Sequence, residues 1–211
     1  MENKTNKTLV CAITGGIGCG KTAVANIIKE MGYKVISSDE NAKEIIATDR
    51  NVKKKLIDTF GKDLYNETGL IDKDLLSSIV FGNTEEHEKA LLKLNSIVHP
   101  VVIAKMIDEV EEYEKKGEKL IFVESALTFE AQIEEGFDYI IVVDAKEDIA
   151  IDRIKKRSNM KEEDIRYRMK QQLSQELKIQ HSDFVIENNG SLDDLKKSVE
   201  IIVNILSQLA K

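Results

Sequence analysis

Gly15-Gly16-Ile17-Gly18-Cys19-Gly20-Lys21-Thr22 follows an apolar run and precedes a helical pattern. Glycines let main-chain amides turn inward and come close to an anion. A helix that starts near Lys21 aims the positive end of its dipole at the same point. Lys21 adds a mobile cation for β- and γ-phosphate oxygens, and the Thr22 hydroxyl can ligate Mg²⁺. The pattern G-x-x-x-x-G-K-T between a strand and a helix is that of a phosphate-binding P-loop. Gly15, Gly16, Gly18, Cys19, Gly20, Lys21, Thr22 and Ala23 are therefore expected to hold a nucleoside triphosphate.

Three carboxylates stand at the ends of apolar runs. Asp39 closes Val35-Ile36-Ser37-Ser38-Asp39. Carboxyl ends of parallel strands line the ligand crevice, so Asp39 can take the proton of an attacking hydroxyl. The competing reading makes it the N-cap of the helix that follows. Glu124 and Asp144 end two further runs, and a carboxylate there can hold Mg²⁺ through water. Glu124 is the stronger candidate for the metal.

Segment 153–170 holds eight basic and three acidic residues, a net +5 on a chain of net −7. Basic helices on an acidic protein read as a lid over polyphosphate. Arg153 and Arg157, one turn apart, are the first candidates to neutralise a moving phosphoryl group. Of three histidines, His99 before Pro100 reads as a structural corner that can also face a substrate. None has metal-ligand spacing. Cys19 sits where a helix N-terminus is expected to lower a thiol pKa.

Alternating strand and helix patterns must position these groups, which implies a parallel sheet covered on both faces. Strands are expected at 9–14, 33–36, 120–124, 139–144 and 184–186. A helix at 22–31 stops at Gly32, and another at 192–209 follows the capping signal Ser191-Leu192-Asp193-Asp194. More than eighty residues separate the second and third strands, far more than a crossover needs. They read as helices at 40–48, 52–60, 73–81 and 85–116, the last interrupted before Pro100. The expected fold is α/β: a three-layer P-loop NTPase-like domain over 1–211 with a five-stranded parallel sheet. Residues 50–117 form a helical acceptor-binding insertion and 148–180 a helical lid.

The composition narrows the function. Thirty-one basic against thirty-eight acidic residues argues against general nucleic-acid binding. The polar start, Met1 to Lys7, lacks a signal-peptide core, and no apolar run reaches membrane-spanning length. Two cysteines make no disulfide framework, so the cytoplasm is the expected compartment. No obligate protein partner is evident.

The chain resembles the dephospho-CoA kinase family from Leu9 to about Leu206. The resemblance rests on Thr14 through Thr22, Val35 through Asp39, Val80-Phe81, Ile97-Val98-His99-Pro100 and Glu124 through Phe129-Glu130. It continues through Val142-Val143-Asp144, Gln172 and Asp183 through Gly190. It implies ATP-dependent phosphorylation of the ribose 3′-hydroxyl of dephospho-CoA, giving CoA and ADP, with ATP and Mg²⁺ required. Asp39 matches the family's catalytic position beside the acceptor hydroxyl. Asn188-Asn189-Gly190 matches the turn at adenine, and His99, Glu124 and Glu130 fall on the acceptor side. Ser37, Cys19 and Ser125-Ala126-Leu127-Thr128 depart from common family residues; the last leaves the acceptor pocket least defined. Adenylate and cytidylate kinases are rivals of similar size, but they transfer to an ionised phosphate that needs no base. A GTPase switch requires Asn/Thr-Lys-x-Asp, which is absent, and Asp58-Thr59-Phe60-Gly61 lies in a helical pattern.

Overall fold

The computed structural model describes residues 8–158 and 160–211. The segment Met1 to Lys7, read above for targeting signals, lies outside them. Five strands form one sheet: β1 (Leu9–Thr14), β2 (Lys34–Ser37), β3 (Leu120–Glu124), β4 (Tyr139–Asp144) and β5 (Phe184–Glu187). All pairings are parallel and the order is β2-β3-β1-β4-β5. This is the expected α/β sheet. Ile13 of β1 lies opposite Glu124 on one side and Ile141 on the other. Strand order reverses at β1, which opens the ligand crevice at its carboxyl end.

The chain forms two compact units. One runs to Ser37 and resumes at Asp108; the other is Ser38–Ile107. In the first, α1 (Lys21–Glu30) follows the P-loop. Its buried Val24, Ile27 and Ile28 join Cys11, Ile13, Phe122 and Val143 in the main core. Val199, Val203 and Leu206 of the C-terminal helix (Leu192–Leu209) complete that core. On the opposite sheet face, Ala12, Ile140 and Val142 pack with Phe129, Phe137 and Ile179.

The second unit contains α2 (Ser38–Thr48), α3 (Arg50–Phe60), α4 (Lys73–Val80) and most of α5 (Glu85–Lys115). Asp49 caps α3 by accepting from the amides of Asn51 and Val52, and Asp72 caps α4 through Leu75. The expected break before Pro100 is absent: α5 runs through it as one helix. Proline removes a single i→i−4 bond. Ser96, whose carbonyl loses that donor, and Pro100 are both exposed, so water can satisfy the carbonyl. By length and composition alone α5 is apolar enough to cross a membrane. Lys93, Asn95, Ser96 and His99 interrupt it, so it contains no unbroken apolar run of that length.

The basic segment after β4 divides into three helices: α6 (Glu147–Arg157), α7 (Glu162–Lys170) and α8 (Gln175–Gln180). Ile151 and Ile154 of α6 bury against Ile165 of α7, with Ile17 of the P-loop and Met169 beside them. The C-terminal helix Leu192–Leu209, hereafter α9, begins with a capping box between Ser191 and Asp194.

Candidate active site

The P-loop turns on glycines, and there is no room for a Cβ at Gly15 or Gly20. Gly20, the N-cap of α1, has φ +97°, and no side chain caps the helix there. Its position would place a Cβ 2.2 Å from Asn188 Nδ2. Gly15 has φ +142° and would place a Cβ 2.3 Å from the Val143 carbonyl. The Ala23 and Val24 amides turn back onto the Gly20 carbonyl, at 3.0 and 3.2 Å, and the positive end of the α1 dipole faces the loop. Lys21 Nζ donates to the carbonyls of Gly15 and Gly16, both at 3.0 Å, which lays the ammonium across the loop.

Thr22 and Glu124, each expected to hold the metal, are hydrogen-bonded to one another. Thr22 Oγ1 donates to Glu124 Oε1 at 2.7 Å, and Ser37 Oγ donates to Oε2 at 3.4 Å. The Glu124 residue is only 8% exposed. The ends of β2 and β3 and the start of α1 therefore converge on one carboxylate. These are hard oxygen donors, the kind Mg²⁺ takes alongside phosphate oxygens and water. Asp39 is the second residue of α2, inside its first turn and not its N-cap. Its carboxylate is exposed and has no hydrogen-bond or ion-pair partner among the described residues.

Behind the loop, Asn188 is buried. Its Nδ2 donates to the Cys19 carbonyl at 2.8 Å, and its Oδ1 accepts from Arg153 at 3.2 Å. Arg153 also donates to the main-chain oxygen of Asn188 at 2.9 Å and reaches the Cys19 carbonyl at 3.5 Å. Arg153 and Asn188 therefore brace the P-loop together. Arg157 is exposed in the last turn of α6. Within the basic segment, Glu162 pairs with Lys155 at 2.5 Å and with Arg166 at 2.9 Å, and Arg166 also bonds Glu147. Exposed pairs of this kind contribute little each.

Two glutamines reach the front of the loop, Gln172 onto Ile17 and Gln175 onto Gly16. Gln172 entered the sequence reading only as a family landmark, and Gln175 not at all. Both partners are main-chain amides far away in sequence, so no residue pattern announces the contact. The glutamines line a cavity of about 710 Å³ beside the P-loop, with Arg166 and Lys170 as well as Asp144 and Glu147.

Glu130 Oε1 accepts from the Leu173 amide at 3.1 Å and lies 2.7 Å from Lys178 Nζ. The ammonium meets it at an angle poor for a hydrogen bond, so the contact is an ion pair. Glu130 Oε2 has no hydrogen-bond partner among the described residues. His99 lies in α5, and partial burial holds its pKa below the usual value. Cys19 contradicts the expectation of a lowered pKa. Its residue is 4% exposed, and burial pushes the thiol up despite Lys21 and nearby main-chain amides.

The profile of the dephospho-CoA kinase family matches residues 9–194. A dephospho-CoA kinase of Fusobacterium nucleatum subsp. nucleatum is 38% identical over 192 residues, 91% of this chain and 95% of that protein. One from Bacillus cereus is 33% identical over 196 residues, 93% and 96% of the two chains. Among solved structures, the dephospho-CoA kinase from Campylobacter jejuni superposes with a TM-score of 0.70 at 27% identity, covering 96% of this chain and 98% of that one. A shikimate kinase from Acinetobacter baumannii shares the fold, with a TM-score of 0.55 at 13% identity over 98% and 97% of the chains.

Proposed function

The chain belongs to the dephospho-CoA kinase family, and we propose that Asp39 is the base that readies the ribose 3′-hydroxyl of dephospho-CoA for phosphorylation. The activity itself, ATP-dependent phosphorylation of dephospho-CoA in CoA biosynthesis, is that of the family. The arrangement at Glu124 supports the reading most. Thr22 at the head of α1 and Ser37 at the end of β2 share its carboxylate, and Asp39 follows Ser37 by two residues.

The P-loop from Gly18 to Ala23 takes the triphosphate of ATP. Lys21 neutralises oxygens at the β and γ positions. Thr22 and Glu124 are the residues that would hold Mg²⁺, which would supply charge compensation at the transferring phosphoryl group. Asp39 accepts a hydrogen bond from the acceptor hydroxyl and takes its proton as the oxygen attacks in line. An alcohol needs that help, whereas an ionised phosphate acceptor does not. Arg157 from the basic segment adds positive charge as the segment closes, and Arg153 keeps the loop in place. His99 and Glu130 lie on the acceptor side in this reading. The reaction needs no nucleic acid, membrane or protein partner and belongs in the cytoplasm.

ADP release tests the reading. Dephospho-CoA is expected to support turnover where AMP, CMP and adenosine do not. Asp39→Asn is expected to lower kcat by about a hundredfold or more while ATP binding persists. A kcat near wild type in that variant removes Asp39 from the chemistry.

A further inference from the structure

Gln172 lies in the connection between α7 and α8, and Gln175 is the first residue of α8. Gln172 Oε1 accepts from the Ile17 N–H at 2.9 Å, and Gln175 Oε1 accepts from the Gly16 N–H at 3.0 Å. Gln175 Nε2 donates to the Val143 carbonyl at 3.0 Å. That is the same carbonyl that leaves no room for a side chain at Gly15. One glutamine therefore grips both the P-loop and the strand behind it. The connection is itself fastened, because Glu130 holds the Leu173 amide and the fully buried Lys178.

We propose that Gln172 and Gln175 are positioning residues for ATP: they fix the entry turn of the P-loop so that its later amides and Lys21 face the triphosphate. The inference deepens the kinase reading and rests on its ATP site. The choice of side chain follows from electrostatics. Two adjacent main-chain donors at the mouth of the loop need acceptors. Carboxylates would bond them more strongly, but would set negative charge beside an incoming polyanion. Glutamine satisfies the donors with a neutral oxygen. Its second end is free to hold the sheet, which a carboxylate cannot do to a carbonyl.

A purely structural role for the pair predicts something different, namely a loss of folding stability with the ATP site intact. Titration calorimetry with ATP, run with thermal melts and steady-state kinetics, separates the two. Gln172→Glu keeps an acceptor and the side-chain volume, so its melting temperature is expected to stay within a few degrees of wild type. Its ATP Kd is expected to rise on the order of tenfold at low salt. Much of that loss should disappear at high salt, where charge is screened. Its KM for dephospho-CoA is expected to be unchanged. Gln172→Ala and Gln175→Ala are expected to lower kcat by roughly ten- to a hundredfold and to weaken ATP with no recovery in salt, since misplacement and not charge is the fault. Wild-type ATP affinity in Gln172→Glu at low salt overturns the proposal. Alanine variants that melt early yet bind and turn over ATP normally overturn it too. Calorimetry with ATP involves no acceptor. A wild-type protein inactive on dephospho-CoA would sink the proposed function and leave this comparison standing.

Discussion

Lysine is almost never fully buried without a partner, and Lys178 is fully buried against Glu130. Removing one member strands the other charge in the interior, which typically costs about 3–5 kcal/mol. Lys178→Met and Glu130→Gln are each expected to lose stability on that scale in urea unfolding. The double variant is expected to recover much of the loss, because no lone charge remains. Single variants within about 0.5 kcal/mol of wild type would show that water reaches the pair. The same variants separate two roles for Glu130. A rise in KM for dephospho-CoA beyond the stability loss marks Glu130 as a residue of the acceptor site. These side chains also mark where sequence reading stops. Thr22 and Glu124 could be paired in advance, because each closes or opens a recognisable element. Gln175 could not, because it bonds a main-chain amide 159 residues away, and an amide leaves no signature in a sequence.

The strand–loop–helix element around the P-loop is built on close approach, and its glycines are not equivalent. Gly117 has φ +86° with open space around it, so Gly117→Ala meets only the left-handed backbone cost of about 1–2 kcal/mol. Gly20→Ala adds a clash with Asn188 Nδ2, a side-chain end that Cys19 and Arg153 restrain. Gly15→Ala meets the backbone of β4 itself, which cannot swing aside. Stability is expected to fall in the order Gly117→Ala, Gly20→Ala, Gly15→Ala, the last being worst. ATP binding is expected to survive only in the first. Equal losses in denaturant melts would mean that space around the loop plays no part. The elements that were legible share a cause. Leu9–Thr14, Leu120–Glu124 and Tyr139–Asp144 are central strands buried on both faces, so their apolar runs end where the strands end. The edge strands β2 and β5 lack such runs and their bounds shifted, and the short helix α8 was read only as part of the helical segment 148–180. At Pro100 a local rule gave way because only one hydrogen bond was at stake and Ser96, which carries the orphaned carbonyl, is an exposed residue.

Stability of the whole molecule depends on keeping its central strand dry. Cys11 lies in β1 between β3 and β4, fully buried, and burial pushes its thiol up from 9.0 to about 12, with Asp138 and Asp183 adding to the shift. Exposing it means separating strands at the middle of the sheet, which is a global event. Between those two pH values the unfolded chain releases the thiol proton and the folded chain keeps it. The unfolded state then binds fewer protons, so stability falls as pH rises. The contribution is fully present below pH 9 and is lost towards pH 12. One such group removes about 1.4 kcal/mol per pH unit, or about 2 kcal/mol by pH 10.5. Lysines and tyrosines titrate in the same range, so the comparison that isolates Cys11 is one of slopes. Cys11→Ala starts lower at pH 8 because of the cavity it leaves, yet its urea-unfolding free energy is expected to decline less steeply from pH 8 to 10.5 than that of wild type. Parallel slopes would mean that the thiol ionises in place, with water entering the sheet beside β1. The raised Cys19 thiol has the same sign and adds to the wild-type decline, but it remains in Cys11→Ala and so cancels in the difference.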